Sequence, residues 1–349
     1  VRSPGDTSIQ RRFRRVFFQQ QIIMTTESVC SVAPAAGSSG KVAIVGSGTI
    51  GRSWAICFAR GGYQVALYDR SRAESEQAVL AIERSLLELQ SAGAPLNATT
   101  IMRSIGVAST LAEALTGASY AQESVTENQA VKAALFREMD QLAPAQAILA
   151  SSSSAIMPSL FLGELAGRHR CLVIHPFNPP HLIPLVEIVP SQWTTTTTVA
   201  KCSELMTAIG QSPIVLSREV EGFVGNRLQA AVVNEAMNLV HLGVIDPKGL
   251  DLCMTHGLAR RWAFIGPFAT MDLNAPLGFA DYARKFRASY QQLGRTLGVG
   301  EPWHDEAAER VAEWRRCELP VEAIADAQAR RDLQLLHLAG WLQAQTDAI

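Results

Sequence analysis

KVAIVGSGTIGRSWAICFARGGYQVALYD, residues 41–69, reads as strand, tight turn, helix, turn and strand. Val42, Ala43, Ile44 and Val45 form the short apolar run that a buried parallel strand needs. Gly46, Gly48 and Gly51 follow at the spacing G-x-G-x-x-G. A second β-rich run, residues 64–68, ends at Asp69, 18 residues after the last glycine. Each glycine has its own task. Gly46 permits the sharp turn out of the strand, Gly48 lets backbone approach a pyrophosphate, and Gly51 lets the helix lie close on the sheet. The helix start offers free N–H groups and a positive dipole end to phosphates. The candidate cofactor-binding segment is therefore Gly46, Ser47, Gly48, Thr49, Ile50 and Gly51. Asp69 can accept hydrogen bonds from both ribose hydroxyls of NAD. Glycine spacing alone is a weak signal. Set between two strands and followed by an acid at this distance, it indicates a dinucleotide-binding unit.

Around this unit the chain has room for two domains: 349 residues against a prior of about 150 per domain. Its composition, 48% hydrophobic and 18% charged, is that of a globular protein. A net charge of −1 gives no general attraction to nucleic acid. No apolar run approaches the roughly 20 residues of a membrane helix, so no membrane span is expected. Six cysteines (Cys30, Cys57, Cys171, Cys202, Cys253, Cys317) show no C-x-x-C pair and no metal-ligand spacing. They read as scattered thiols of a reducing compartment, with no metal site. Residues 1–40 read as a disordered extension. Five arginines and one acid among residues 1–23 resemble a mitochondrial transit peptide in composition; the plainer reading starts translation at Met24 and places the protein in the cytoplasm.

After Asp69 the pattern alternates. Residues 71–90 carry a helical apolar stripe (Ala78, Ile82, Leu86, Leu89). Strands are expected at 104–107, 120–125, 147–150, 172–174, 185–189 and 214–216. Helices are expected at 111–115, 127–142 and 199–209, the second with Val131, Leu135, Phe136 and Met139 on one face. Strands alternating with helices mean an α/β, doubly wound, Rossmann-like sheet. From Glu219 on, only helices are expected, including a long one over residues 223–242 and one started by Asp246-Pro247. The expected division is a dinucleotide-binding domain over 41–218 and an all-α domain over 219–349 for substrate and dimerisation.

HPFNPPHLIPLVEIVP, residues 175–190, carries the chemistry. Glu187 lies inside the apolar run Leu-Val-Glu-Ile-Val, where an unpaired carboxylate is costly. His175 ends the preceding strand, and a proline-rich loop between them can double back. A His–Glu pair would fix the imidazole tautomer and stabilise its protonated form, making His175 a general base. Taken alone, the same residues also fit a structural histidine and a glutamate facing water.

The motifs GSGTIGRSWA, ILASSSSAIMPS, HPFNPPHLIPLVE, GFVGNRLQ and RRWAFIGP followed by TMDLNA resemble the L-3-hydroxyacyl-CoA dehydrogenase superfamily, and within it the lambda-crystallin branch, over residues 41 to about 338. The resemblance implies a catalytic dyad at His175 and Glu187, substrate-hydroxyl ligands at Ser154 and Asn226, and cofactor contacts at Glu127 and Lys132. It also implies a homodimer joined through the helical domain. Asn226 in that domain would put the site in an interdomain cleft. Two positions depart from the pattern: Ala155, where relatives carry Ser or Cys, and Gly225, where an aliphatic residue is usual. The implied activity is NAD-dependent oxidation of the 3-hydroxyl of L-gulonate or a similar small acid. The alternatives are a 3-hydroxyacyl-CoA or L-carnitine as substrate, or a crystallin-like structural role. A small acid needs a cation for its carboxylate, and Arg261, beside the apolar run Trp262-Ala263-Phe264-Ile265, is the candidate. Asp69 favours NAD over NADP by repelling a 2′-phosphate.

Overall fold

The strand-forming runs assemble into an eight-stranded sheet, seen in a computed structural model that describes residues 40–297 and 303–346. The proposed extension lies outside the described residues up to residue 39. Gly40 is already part of the fold, accepting a hydrogen bond from the Gln64 N–H. The strands are β1 Lys41–Val45, β2 Gln64–Tyr68, β3 Ile105–Val107, β4 Ala118–Glu123, β5 Ile148–Ser151, β6 Cys171–Pro176, β7 Leu185–Pro190 and β8 Ser212–Val215. Helices α1 Thr49–Arg60, α2 Arg72–Ser91, α3 Ala98–Met102, α4 Leu111–Leu115, α5 Gln129–Leu142, α6 Ser159–Leu162 and α7 Thr196–Ala208 connect them. The described elements after β8 are all helical: α8 Gly225–His241, α9 Pro247–Cys253, α10 Ala259–Trp262, α11 Pro267–Leu273, α12 Phe279–Leu293, α13 Asp305–Glu318 and α14 Ile324–Thr346, with a π turn at Met254–Leu258 and a 3₁₀ turn at Val321–Ala323 among them.

The strand order is β3-β2-β1-β4-β5-β6-β7-β8. Strands β1 to β6 are parallel, whereas β6 and β7 pair antiparallel with His175 directly opposite Glu187. The reason is length: the connection over 177–184 is shorter than the dozen or so residues a parallel crossover needs. Side chains alternate between the two faces, as strand geometry requires. Val42, Ile44, Leu172 and Ile174 join Trp54, Phe58 and Ile82 on one side. Ala43, Val45, Val173 and Val189 join Phe136, Met139 and Phe223 on the other.

Several expected bounds move. The strand expected at 120–125 is β4, which begins at Ala118, already in register with Lys41. The helix expected from Phe223 starts only at Gly225, because Phe223 holds a left-handed backbone with φ 53° and kinks the chain into α8. Val131 is not part of the buried face of α5; it is 42% exposed and lines a cleft. The Asp246 cap behaves as read, accepting the Gly249 N–H, and Ser71 and Asn128 cap their helices in the same way.

Candidate active site

The strand order reverses between β1 and β4, and the crevice at such a reversal is where doubly wound sheets bind ligands. A cleft of about 870 Å³ opens there, walled by Gly46, Ser47, Gly48, Asp69 and Ser124. A side chain on Gly46 (φ +103°) would sit 2.6 Å from the Ser124 carbonyl oxygen, and one on Gly51 1.9 Å from that of Gly46. Gly48 has nothing within 4 Å and leaves an open cradle at the start of α1. Asp69 uses Oδ2 to accept from the Ser47 N–H (2.9 Å) and hydroxyl (3.0 Å), clamping the glycine loop. Its Oδ1 has only a 3.4 Å contact with the Ser71 N–H and remains available to a ribose. Size, cradle and acid fit a dinucleotide. Of the glycine segment, Thr49, Ile50 and Gly51 do not wall this cleft; Thr49 and Ile50 line a second cavity, which shares Arg52 and Ala81 with the first.

The His–Glu pair forms. His175 Nδ1 lies 2.7 Å from Glu187 Oε2, with the histidine 5% exposed and the glutamate fully buried. Because β6 and β7 are antiparallel, the two are cross-strand neighbours on the same face. Glu187 Oε1 accepts from the Val224 and Gly225 N–H groups, at 2.8 and 3.0 Å, so the first turn of α8 is tied to the sheet through this carboxylate. Burial pushes the Glu187 pKa up. The bonds from His175, Gly225 and Val224 outweigh that effect and hold it below the usual value, as an anion. An anionic acceptor makes Nδ1 the donor and leaves the Nε2 lone pair for a substrate proton. The rings of Phe177 and Phe223 flank the imidazole at 5.4 and 5.5 Å.

The serine loop after β5 is held just as firmly. Glu127 Oε1 accepts from the Ser153 hydroxyl (2.6 Å) and from the N–H groups of Ser154, Ala155 and Ile156 at 2.9 to 3.4 Å. Burial raises the Glu127 pKa, and the Ser153 hydroxyl, Lys132 and these N–H groups lower it further than burial raises it. Lys132, 1% exposed, bridges Glu127 (3.3 Å) and the buried Glu123 (2.9 Å). Neither Glu127 nor Lys132 walls the dinucleotide cleft; the structure uses both to shape the loop that presents Ser154. Asn226 donates through Nδ2 to the Ser154 carbonyl at 2.6 Å, with one amide hydrogen to spare. His175, Glu187, Asn226, Ser154, Glu127 and Lys132 thus belong to one chain of contacts linking sheet, serine loop and α8.

The departure at Gly225 has a physical cause. A side chain there would meet the Phe177 ring at 2.1 Å, and that ring packs on His175. Arg261 is exposed on α10, and its charge acts on the Tyr282 hydroxyl; it walls neither cavity. Sequence reading passed over Glu123, although it sits in the apolar run of β4 as Glu187 does in β7. It also passed over Ser152, whose hydroxyl meets Trp54 Nε1, Gln122 Nε2 and the Ser124 hydroxyl; no spacing rule marks such a cluster.

The family model described as 3-hydroxyacyl-CoA dehydrogenase, NAD binding domain, matches residues 41–220, and that of the 3-hydroxyacyl-CoA dehydrogenase C-terminal domain matches 222–314. The chain belongs to the 3-hydroxyacyl-CoA dehydrogenase family. The lambda-crystallin homolog of Bos taurus is 40% identical over 312 residues, 88% of this chain and 97% of that protein. The L-carnitine dehydrogenase of Bacillus cereus is 32% identical over 311 residues, 87% of this chain and 92% of that protein. Among solved structures, an NAD+ dependent dismutase, 5-formyl-3-hydroxy-2-methylpyridine 4-carboxylic acid 5-dehydrogenase, superposes with a TM-score of 0.75 at 29% identity, over 87% of this chain and 99% of its own. The protein is an NAD-dependent oxidoreductase of this dehydrogenase family, with a Rossmann-like sheet followed by a helical C-terminal part. No helix among the described residues is long and apolar enough to cross a membrane.

Proposed function

We propose that the protein oxidises the 3-hydroxyl of a small 3-hydroxy acid, L-gulonate foremost, to the 3-keto acid. The observation that carries this reading is the 2.7 Å bond from His175 Nδ1 to the buried Glu187, which leaves Nε2 as a base. In this reading Nε2 takes the hydroxyl proton and Glu187 stabilises the imidazolium that results. The Ser154 hydroxyl and the spare Asn226 amide hydrogen hold the same oxygen as it becomes a carbonyl. NAD, when bound, would supply the acceptor for the hydride. Gly46, Ser47, Gly48 and Asp69 hold the cofactor, and Glu127 and Lys132 act on it through the serine loop. Arg261 takes the carboxylate.

The preference for L-gulonate rests on the lambda-crystallin resemblance. Similarity to an L-carnitine dehydrogenase favours a second small substrate, L-carnitine. The division into a dinucleotide domain over 41–218 and a helical domain over 219–349 belongs to the same proposal, as does a cytoplasmic homodimer. The helical part supports the dimer by exposing Phe264, Phe268, Leu273 and Leu277, at 59 to 76% each. The test is a panel of L-gulonate, L-carnitine and L-3-hydroxybutyryl-CoA with NAD and NADP, followed by absorbance of the reduced cofactor. Efficient turnover of the thioester with neither free acid oxidised would overturn the small-acid reading.

A further inference from the structure

The second cavity, of about 430 Å³, lies between α1, α2, the loop after β6 and α14, and the mechanism above leaves it unused. Its polar wall includes Asn178 and His181 on the loop, Ser85 on α2, and Gln328, Arg331 and Asp332 on α14. His181 is the unusual member. It is only 9% exposed, and neither ring nitrogen has a hydrogen-bond partner among the described residues. Burial, and then the positive charges of Arg60 and Arg331, push its pKa down to about 4, so the ring is neutral at physiological pH. A neutral imidazole brings one N–H and one lone pair.

Its neighbours have the same double character. Arg331 and Asp332 pair at 2.7 Å and set donors beside an acceptor. The amides of Asn178 and Gln328 each carry both, as does the Ser85 hydroxyl. Walls of this kind suit hydroxyl groups, each of which donates and accepts. An alkyl chain would leave them unpaired, and a lone carboxylate, although drawn to Arg52 and Arg331, only accepts and would leave Asp332 and the imidazole lone pair without a donor. The cavity also begins close to the chemistry in the chain. Asn178 is three residues beyond His175, and the Phe177 ring between them lies tilted against the imidazole, centroids 5.4 Å apart.

We propose that this cavity is the subsite for the hydroxylated chain of a polyhydroxy acid, with His181, Arg331 and Asp332 hydrogen-bonding the hydroxyls beyond the carbon that is oxidised. The proposal rests on the small-acid reading and adds to it the class of acid. A site built to hydrogen-bond hydroxyls discriminates strongly against analogues that lack them.

The experiment compares wild type, His181→Phe and Arg331→Gln on L-gulonate and on L-3-hydroxybutyrate, which has no further hydroxyls. It reads kcat and KM with NAD, and the calorimetric Kd of L-gulonate for NADH-loaded protein. Each variant is expected to raise KM and Kd for L-gulonate by about tenfold, the worth of a lost hydrogen bond. KM for L-3-hydroxybutyrate and kcat for both acids should hold. The Arg331 side chain is 45% exposed, so its variant keeps the test valid if His181→Phe lowers Tm. Equal shifts on both acids, or an unchanged Kd for L-gulonate in Arg331→Gln, overturn the subsite. If wild type oxidises neither acid, the small-acid reading fails, and the binding arm still decides. L-gulonate bound by wild type and released by the variants sustains the subsite; no binding by wild type overturns it.

Discussion

Glu187→Gln changes one atom in a carboxylate that accepts three hydrogen bonds, from His175 Nδ1 and from the Val224 and Gly225 N–H groups, at 2.7 to 3.0 Å. Glutamine has one acceptor oxygen and one NH₂. If the NH₂ faced α8 it would meet two N–H donors, so the oxygen stays there and the NH₂ turns to Nδ1. That reverses the imidazole: Nδ1 becomes the acceptor and Nε2 carries the proton. A protonated Nε2 cannot take one from the substrate. General-base catalysis is worth about 10²–10⁴-fold, and an Asp→Asn change that fixes the wrong tautomer in a serine protease costs about 10⁴. The expected fall in kcat is therefore about 10³-fold or more. Replacing three charge-assisted bonds by neutral ones should also cost about 1–3 kcal/mol of folding stability. Steady-state rates with L-gulonate and NAD measure the first, and urea unfolding the second. NADH affinity should stay unchanged. A variant within a few-fold of wild-type kcat would refute the tautomer argument, whatever its stability.

Other outcomes follow from the same geometry. Asp69→Ala removes both the clamp on Ser47 and the ribose acceptor, so KM for NAD should rise about tenfold and the NAD over NADP preference should narrow, read as the ratio of kcat/KM. Arg261→Ala should raise KM for L-gulonate much more than KM for NAD, and Arg261→Lys should rescue it only in part, because a point charge does not reproduce the guanidinium fork. Glu127 and Glu187 are held below the ordinary carboxyl value of 4.5 in the fold, so the unfolded chain takes up protons first. Their stabilisation is complete above about that value and is lost as pH falls through the lower, folded values. Urea midpoints across acid pH should fall less steeply in Glu187→Gln than in wild type.

The sheet, from Lys41 to Val215, was legible because its signals are local. Alternating apolar runs and the spacing Gly46-x-Gly48-x-x-Gly51 each act within one turn or one strand. The His175–Glu187 contact was legible from a different signal, a charge inside an apolar strand, which must find a partner. What stayed hidden depends on distant packing. Nothing near Phe223 announces its left-handed backbone; that follows from ring contact with His175 and from α8 docking on Glu187. The antiparallel turn of β7 follows from a short connection whose length is obvious only once both strand ends are known. Glu127 and Lys132 read as cofactor contacts through resemblance, whereas their bonds go to the serine loop and to Glu123. His181 stands inside the quoted proline-rich motif, and only its missing partners mark it.

His175→Gln bears most directly on the central claim that Nε2 of this histidine is the base of an NAD-dependent alcohol oxidation. The measurement is kcat with L-gulonate and NAD, set beside the Kd of NADH for the same variant. A loss of about 10²–10⁴-fold or more in kcat with NADH affinity unchanged is the outcome the geometry requires. Turnover close to wild type in a folded His175→Gln protein would contradict it.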